Sequence, residues 1–376
     1  MGPLSGVKVV ELAGLGPAPF GCMLLAELGA DVLRVERPGG GLAMGPPELE
    51  LVNRGRRSVA LDLKKPEAVA AVLQLVAKAD VLVEGFRPGV AERLGLGPEH
   101  CHAVNRRLVY GRMTGWGQDG PLAQAAGHDI DYLAVSGALH AIGRAGGPPQ
   151  VPANLLGDFA GGSLYLVVGV LAALVEARSS GEGQVVDAAI VDGAAHLTTM
   201  LLGALAGGAW TQDRGTNLLD TGAPFYDVYE TSDGKHVSVG AIEPQFYDEL
   251  VRLLGVDAPD RTDPATWPEL RELFTKTFAQ RTQAEWIDIF DGSDACVAPV
   301  LPLAGEHPHL AARGTFVDKD GVRQAAPAPR FSRTPTELGE PPARPGQHTR
   351  EALTEWGLAN VDELLRSGAA VQAETN

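Results

Sequence analysis

Cysteine is nearly missing from this chain. Cys22, Cys101 and Cys296 are spread over 376 residues, odd in number and without CxxC or Cys/His spacing. A disulfide framework and a zinc site are thereby excluded, no metal is expected, and a reducing setting such as the cytoplasm is. Basic residues are outnumbered: 31 Lys and Arg stand against 47 Asp and Glu, a formal charge of −16. Nucleic acid, which needs a basic face, is therefore not an expected partner. The opening MGPLSGVKVVELAG has no basic stretch followed by an apolar core, and the closing AVQAETN is not a peroxisomal address, so neither route is expected. The uncharged apolar run 159–175 is short for a span and broken by glycine, so a buried helix is expected rather than a membrane crossing. GxSxG, Walker A, HExxH and aromatic RNA-binding signatures are also lacking. Methionine is scarce, at five residues, which weakens the case for a Met-rich, adaptable binding surface.

What remains is an ordinary globular composition, 45% hydrophobic and 21% charged, long enough for two domains. Strand and helix patterns alternate at the start. VKVVELAG (7–14), DVLRVERP (31–38), VLVEGFRPG (81–89) and RLVYGRMTGWG (107–117) read as strands. PFGCMLLAELGA (19–30) and KPEAVAAVLQLVAKAD (65–80) read as helices. The alternation predicts an α/β fold, a Rossmann-like parallel sheet with helices on both faces. A long buried helix is predicted over 159–178, then a strand-like piece and an apolar helix within 179–206. The character then changes. YDVYETSDGKHVSVGAI predicts a hairpin turning at Asp233-Gly234, followed by amphipathic helices over 246–256 and 268–294. The expected organisation is a large domain from 1–200 and 330–376, a linker over 201–221, a small α+β domain over 222–300, and an extended return linker over 301–329. Short helices are expected around 350–356 and 361–367.

Chemistry concentrates between Gly127 and Gly162. His128 and Asp129 follow Gly127, and Asp158 precedes a Gly-Gly step and the apolar helix. An imidazole and a carboxylate on separate segments supply two different proton carriers, as a two-base proton transfer requires. Asp158 also reads as the N-cap of the helix it precedes, where free N–H groups could stabilise an oxyanion. Glu243, in GAIEPQFY, is a loop acid whose use depends on where the chain places it. Gly14-x-Gly16 after a strand, with Glu36 ending the next one, imitates a dinucleotide fingerprint. Pro19 stands where the third glycine should be, and Pro17 and Pro19 remove N–H donors, so a plain βα turn is preferred to nicotinamide binding. Arg54, Arg56, Arg57, Arg87, Arg93, Arg106, Arg107 and Arg112 form a basic run on an acidic chain. It is either a solvated face or a seat for a small polyanion. In EGFRPG, Gly85 permits close backbone approach and Arg87 could meet phosphate.

Several of these segments occur in a known order. PLSGVKVVELAG, LGADVLRVERP, ADVLVEGFRPGVAERLGLG, YGRMTGWGQDGP, GHDIDY, GDFAGG, GEGQVVDAAIVDG, YETSDGKHVSVGAIEPQFY and DACVAPV together make the chain resemble the family III CoA transferases nearly end to end. Within them it is similar to the α-methylacyl-CoA racemase branch, because His128 stands where the transferases usually carry Tyr, and because Glu243 sits in an IEPQFY context. The resemblance implies an isomerase acting on 2-methylacyl-CoA thioesters through an enolate, with CoA as part of the substrate and no other cofactor. His128 and Asp158 would be the acid/base pair, Glu243 would orient the imidazole, and Asp129 would support the His128 loop. Arg54, Arg87, Arg93 and Arg112 would hold CoA phosphates and adenine, with Ala60, Gly85 and Met113 as further contacts. The family fold implies an interlocked homodimer in which Glu243 reaches the other subunit's site. The second reading is a transferase proper, with Asp158 as the nucleophile that forms an acyl anhydride.

Overall fold

The computed structural model describes residues 2–41 and 45–374. The chain divides into two compact units. One comprises residues 1–136, 153–197 and 310–376, and the other 137–152 and 198–309.

Six strands of the first unit are parallel: β1 (Lys8–Leu12), β2 (Asp31–Glu36), β3 (Arg57–Leu61), β4 (Val81–Glu84), β5 (Val109–Thr114) and β6 (Val185–Ala189). Their order is β3-β2-β1-β4-β5-β6, and the C-terminal pair Ala370–Val371 adds antiparallel to the β3 edge. The central strands are buried on both faces, as near-continuous Val/Leu runs require when helices cover a sheet on two sides. One core packs Leu75, Val76, Tyr110 and Trp356 on one face, and the other packs Cys22, Leu25, Leu166 and Val170 on the opposite face. The order reverses between β1 and β4. In open α/β sheets that reversal opens a crevice at the carboxyl ends of the strands.

β3 follows NRG and was not anticipated, because its first residue is the last Arg of a basic cluster. Arg56, just before it, is buried and paired with Glu11 of β1, which also holds Arg34. Burial of these charges is tolerated because each faces a partner.

The apolar helix begins earlier than expected. Residues Leu155–Leu164 wind as a π-helix that runs into an α-helix over Tyr165–Ser180, closed by Gly181 in the left-handed region. Asp158 therefore lies inside the first turn and is not the N-cap, which is Asn154. The helix buries only one side: Val168 is 65% exposed and Val175 68%. Two shorter helices follow, Ile190–Leu197 and Thr199–Ala206.

The second unit contains the expected hairpin. β7 (Tyr226–Glu230) and β8 (His236–Gly240) are antiparallel, and β9 (Val297–Pro299) joins β8. Helices Pro244–Leu254, Trp267–Phe278 and Gln283–Phe290 cover the sheet through an aromatic core of Tyr229, Phe274, Phe278 and Trp286. Two segments expected to be linkers carry structure. The 201–221 stretch begins inside the Thr199–Ala206 helix, and 301–329 holds a helix at Pro308–Arg313 and a hairpin pairing Phe316–Lys319 with Val322–Ala325.

Candidate active site

Asp158 is placed at the strand-order reversal by close helix packing. The π-helical segment crosses the Ile190–Leu197 helix where Gly161 meets Gly193: a Cβ on Gly193 would run into the carbonyl of Gly161. On its other side a Cβ on Gly162 would stand 3.3 Å from the Cβ of Pro17. Ser163 Oγ donates to Pro17 O at 2.7 Å, tying the segment to the start of the Pro17–Glu27 helix. The Gly-Gly step is thus needed for approach between helices. Phe20 and Phe159 stack at 4.5 Å beside it.

The β1 end turns through Gly14–Gly16 into the Pro17–Glu27 helix, with Gly16 at φ 66°. A Cβ on Gly16 would stand 3.5 Å from Asp158 Oδ2, so this loop borders the carboxylate directly. The positive end of that helix dipole points at the same place.

Asp158, Asp129 and His128 come together. Asp129 opens the helix Asp129–Ser136 and is only 6% exposed. Its Oδ1 accepts the backbone N–H of Asp158 at 2.6 Å. Gly157 must be glycine here, because a Cβ would collide with the Asp129 carboxylate. Asp129 Oδ2 is buried without a hydrogen-bond partner. Burial raises the Asp129 carboxyl above the ordinary aspartate value, against the backbone donors of Asp158 and Gly157. Asp158 is half-buried, and its carboxyl is also held high, by burial first and then by the charge of Asp129. A side-chain bond from Asn154 Nδ2 at 3.4 Å and the charge of His128 oppose that rise.

His128 is exposed at the head of its helix, and its backbone N–H donates to Asp131 Oδ2 at 2.9 Å. The loop is braced by Tyr132, whose ring is wedged against Gly115 and Gly127, donates its hydroxyl to Gly127 O, and meets Trp116 edge-on at 4.8 Å. Asn154, Asp131 and Tyr132 escaped the sequence reading. The DIDY spacing, with an acid at i+3 from His128, was the available capping signal. Glu243 belongs to the second unit. It is the exposed N-cap residue of the Pro244–Leu254 helix, makes no capping bond, and lies near enough to Cys296 for its charge to help burial raise that thiol.

A cleft of about 640 Å³ opens at the carboxyl ends of β1 to β4. Gly14, Leu15, Arg34, Arg37, Lys64 and Phe86 line it, with Ala343 and Pro345 from the returning chain. The cations expected from sequence sit elsewhere. Arg54 is buried against Glu27 Oε1 at 2.7 Å and Gln324 Oε1 at 2.9 Å. Arg112 is buried between Glu84 at 2.9 Å and Glu92 at 2.8 Å. Both guanidiniums are occupied by the fold. Arg87 and Arg93 are exposed. Ala60 is buried in β3, its N–H bonded to Thr349 Oγ1 at 3.0 Å, and Met113 is core in β5. Gly85 follows β4, where a Cβ would stand 3.6 Å from Met113 O. Glu36, in the ribose-acid position, lines the cleft but accepts from Ser58 Oγ at 2.8 Å and pairs with Arg34.

The model of CoA-transferase family III matches residues 4–349. The chain belongs to CoA-transferase family III. This family III chain is 46% identical to the α-methylacyl-CoA racemase of Mus musculus, over 99% of its length and 98% of the relative's. It is 44% identical to the α-methylacyl-CoA racemase of Homo sapiens, over 97% and 98%. A CAIB/BAIF family protein from Brucella suis superposes with a TM-score of 0.82 at 28% identity, covering 94% of this chain and 99% of the other.

Proposed function

We propose that this family III chain is an α-methylacyl-CoA racemase that inverts C2 of 2-methylacyl-CoA thioesters by proton transfer through an enolate. The observation that carries the reading is the gathering of His128, Asp129 and Asp158, with the Asp158 carboxyl held above its ordinary range beside the Gly14–Gly16 loop. The names of the mouse and human relatives support it.

The α-proton of a thioester is weakly acidic, so the site must stabilise an enolate oxygen while a base takes the proton. For one enantiomer His128 takes the proton while protonated Asp158 delivers one to the opposite face, and for the other enantiomer the two groups exchange roles. The raised carboxyl suits this work, because a base nearer the operating pH holds a proton more readily. The start of the Pro17–Glu27 helix offers its dipole to the oxyanion, although Pro17 and Pro19 leave few N–H donors there. Only protons move, so no cofactor is needed beyond the CoA of the substrate.

The reading seats CoA in the cleft at the carboxyl ends of β1 to β4, with Arg37 and Lys64 facing its phosphates and exposed Arg87 and Arg93 along its path. Glu243 orients the imidazole of a neighbouring subunit in an interlocked homodimer. The apolar side of the Leu155–Ser180 helix is the face that such a dimer covers. The three free thiols suit a reducing compartment such as the cytoplasm.

The test is proton NMR of one enantiomer of a 2-methylacyl-CoA with the protein in deuterated water. Loss of the α-proton signal with scrambling at C2, and no added acceptor, is the expected result. Transfer of CoA to an added carboxylic acid without exchange would make the chain a transferase instead.

A further inference from the structure

Residues 137–152 leave the first unit at the end of the Asp129–Ser136 helix and return to it one residue before Asn154, the partner of the Asp158 carboxylate. One leg of this excursion leads from His128 and Asp129, and the other leads to Asp158. Within the second unit the legs are joined twice. Gln150 N–H donates to Ile142 O at 2.9 Å. Arg214 donates Nη1 to His140 O at 2.9 Å and Nη2 to Gly147 O at 2.5 Å, one carbonyl on each leg. The fit is close: a Cβ on Gly143 would stand 3.1 Å from Arg214 Cδ, and one on Gly215 would collide with Ala145 N. Arg144, between those carbonyls, pairs with Asp227 at 2.6 Å, and the same buried carboxylate holds Arg271. Among the described residues Arg214 pairs with no carboxylate, so its charged fork serves the two carbonyls.

We infer that Arg214 is a positioning residue: its guanidinium cross-links the two legs of the 137–152 excursion and so fixes the spacing of the chain ends that carry His128 and Asp158. A planar fork with one donor on each of two carbonyls sets a distance, which a single ammonium cannot do. Small misplacements of reacting groups are expensive, with about 1 Å worth on the order of 100-fold in rate. The turnover arm of the test rests on the racemase reading; the exchange arm does not.

The experiment compares the full-length wild type with Arg214→Ala, Arg214→Lys and, as a control of general stability in the same unit, Thr282→Ala, which removes the capping box of the Gln283–Phe290 helix. Amide hydrogen exchange is followed over 128–136 and 153–164, and turnover of a 2-methylacyl-CoA is followed with and without millimolar guanidinium. In Arg214→Ala and Arg214→Lys both segments exchange faster, and kcat falls roughly 10- to 100-fold with KM within about twofold. Guanidinium restores part of the loss in Arg214→Ala. Thr282→Ala matches the wild type in both segments and in kcat. Wild-type exchange in Arg214→Ala, a loss confined to KM, or an equal loss in Thr282→Ala would overturn the assignment. If the wild type itself fails to turn over, the racemase reading falls and the amide exchange alone decides the role of Arg214.

Discussion

Asp158 shows how a single residue can work against the fold that holds it. Its carboxyl is raised because burial and the nearby Asp129 both disfavour the charged form. In the unfolded chain the same group titrates near its ordinary value of 3.8. Between that value and the folded one, the native state binds the proton more tightly, so stability falls as pH rises through this window. Above it, the ionised group is a standing penalty. Asp158→Asn keeps the shape and removes the charge. The variant therefore melts higher than the wild type at pH 7, and the gap narrows as pH is lowered through the folded pKa and vanishes below about 3.8. On the proposed reading, loss of this base lowers racemisation by roughly 10²–10⁴-fold. Thermal melts over a pH series, beside turnover at pH 7, check both halves. A variant that melts lower than the wild type at neutral pH would show that the Asn154 bond outweighs burial.

At the scale of elements, periodicity exposed the parallel sheet, because β1, β2, β4 and β5 are apolar runs ended by glycine or proline. It missed β3, which is entered through Arg56 and Arg57, paired with Glu11 and Asp31 of other strands, a compensation with no local trace. The helix at 155–180 was legible as apolar, but its π-wound start was not. That segment packs through Gly161 on Gly193, thirty-two positions along the chain and in a different helix, a contact that no local pattern carries. The same distance effect misassigned Asp158 to the N-cap. The catalytic candidates themselves were legible because their residue types are unusual beside glycine. Burial of the candidate cations was not legible, because Arg54 and Arg112, paired with carboxylates, look like exposed Arg87 and Arg93 in sequence. The Gly161–Gly193 crossing makes a prediction of its own. In Gly193→Ala the new methyl has no room against the Gly161 carbonyl, and Gly161 Cα is only 3.0 Å away. Backbone rather than a flexible side chain must yield, so the variant loses about 1–3 kcal/mol in urea denaturation. The displaced segment carries Asp158, so turnover falls as well. Gly203→Ala, with open space at its Cβ position, serves as the control that changes neither.

At the scale of the whole molecule stands the homodimer proposed above. Leu164, Val168 and Val175 follow one another along the outer side of a long helix, with Leu197 exposed on the next helix of the same unit. Scattered exposed hydrophobes need no explanation, but a succession of this kind is the face that the proposed homodimer would cover. In the interlocked homodimer proposed here, each chain passes through a ring formed by the other, with residues 198–309 set between the two parts of the first unit in sequence. Interlocking differs from ordinary association in kinetics as well as in affinity. Face-to-face dimers exchange subunits on dilution, whereas linked rings cannot part until one of them unfolds. The native protein therefore sediments at about twice 39.3 kDa at all accessible concentrations. Tagged and untagged dimers mixed under native conditions form no hybrid over days, and they form hybrids in statistical proportion after denaturation and refolding together. Val168→Glu and Val175→Glu place charge in the covered face and reduce the yield of folded protein without producing a stable native monomer. Hybrids appearing on simple mixing would show that the subunits pack side by side, and would leave Glu243 to reach its imidazole across an ordinary interface.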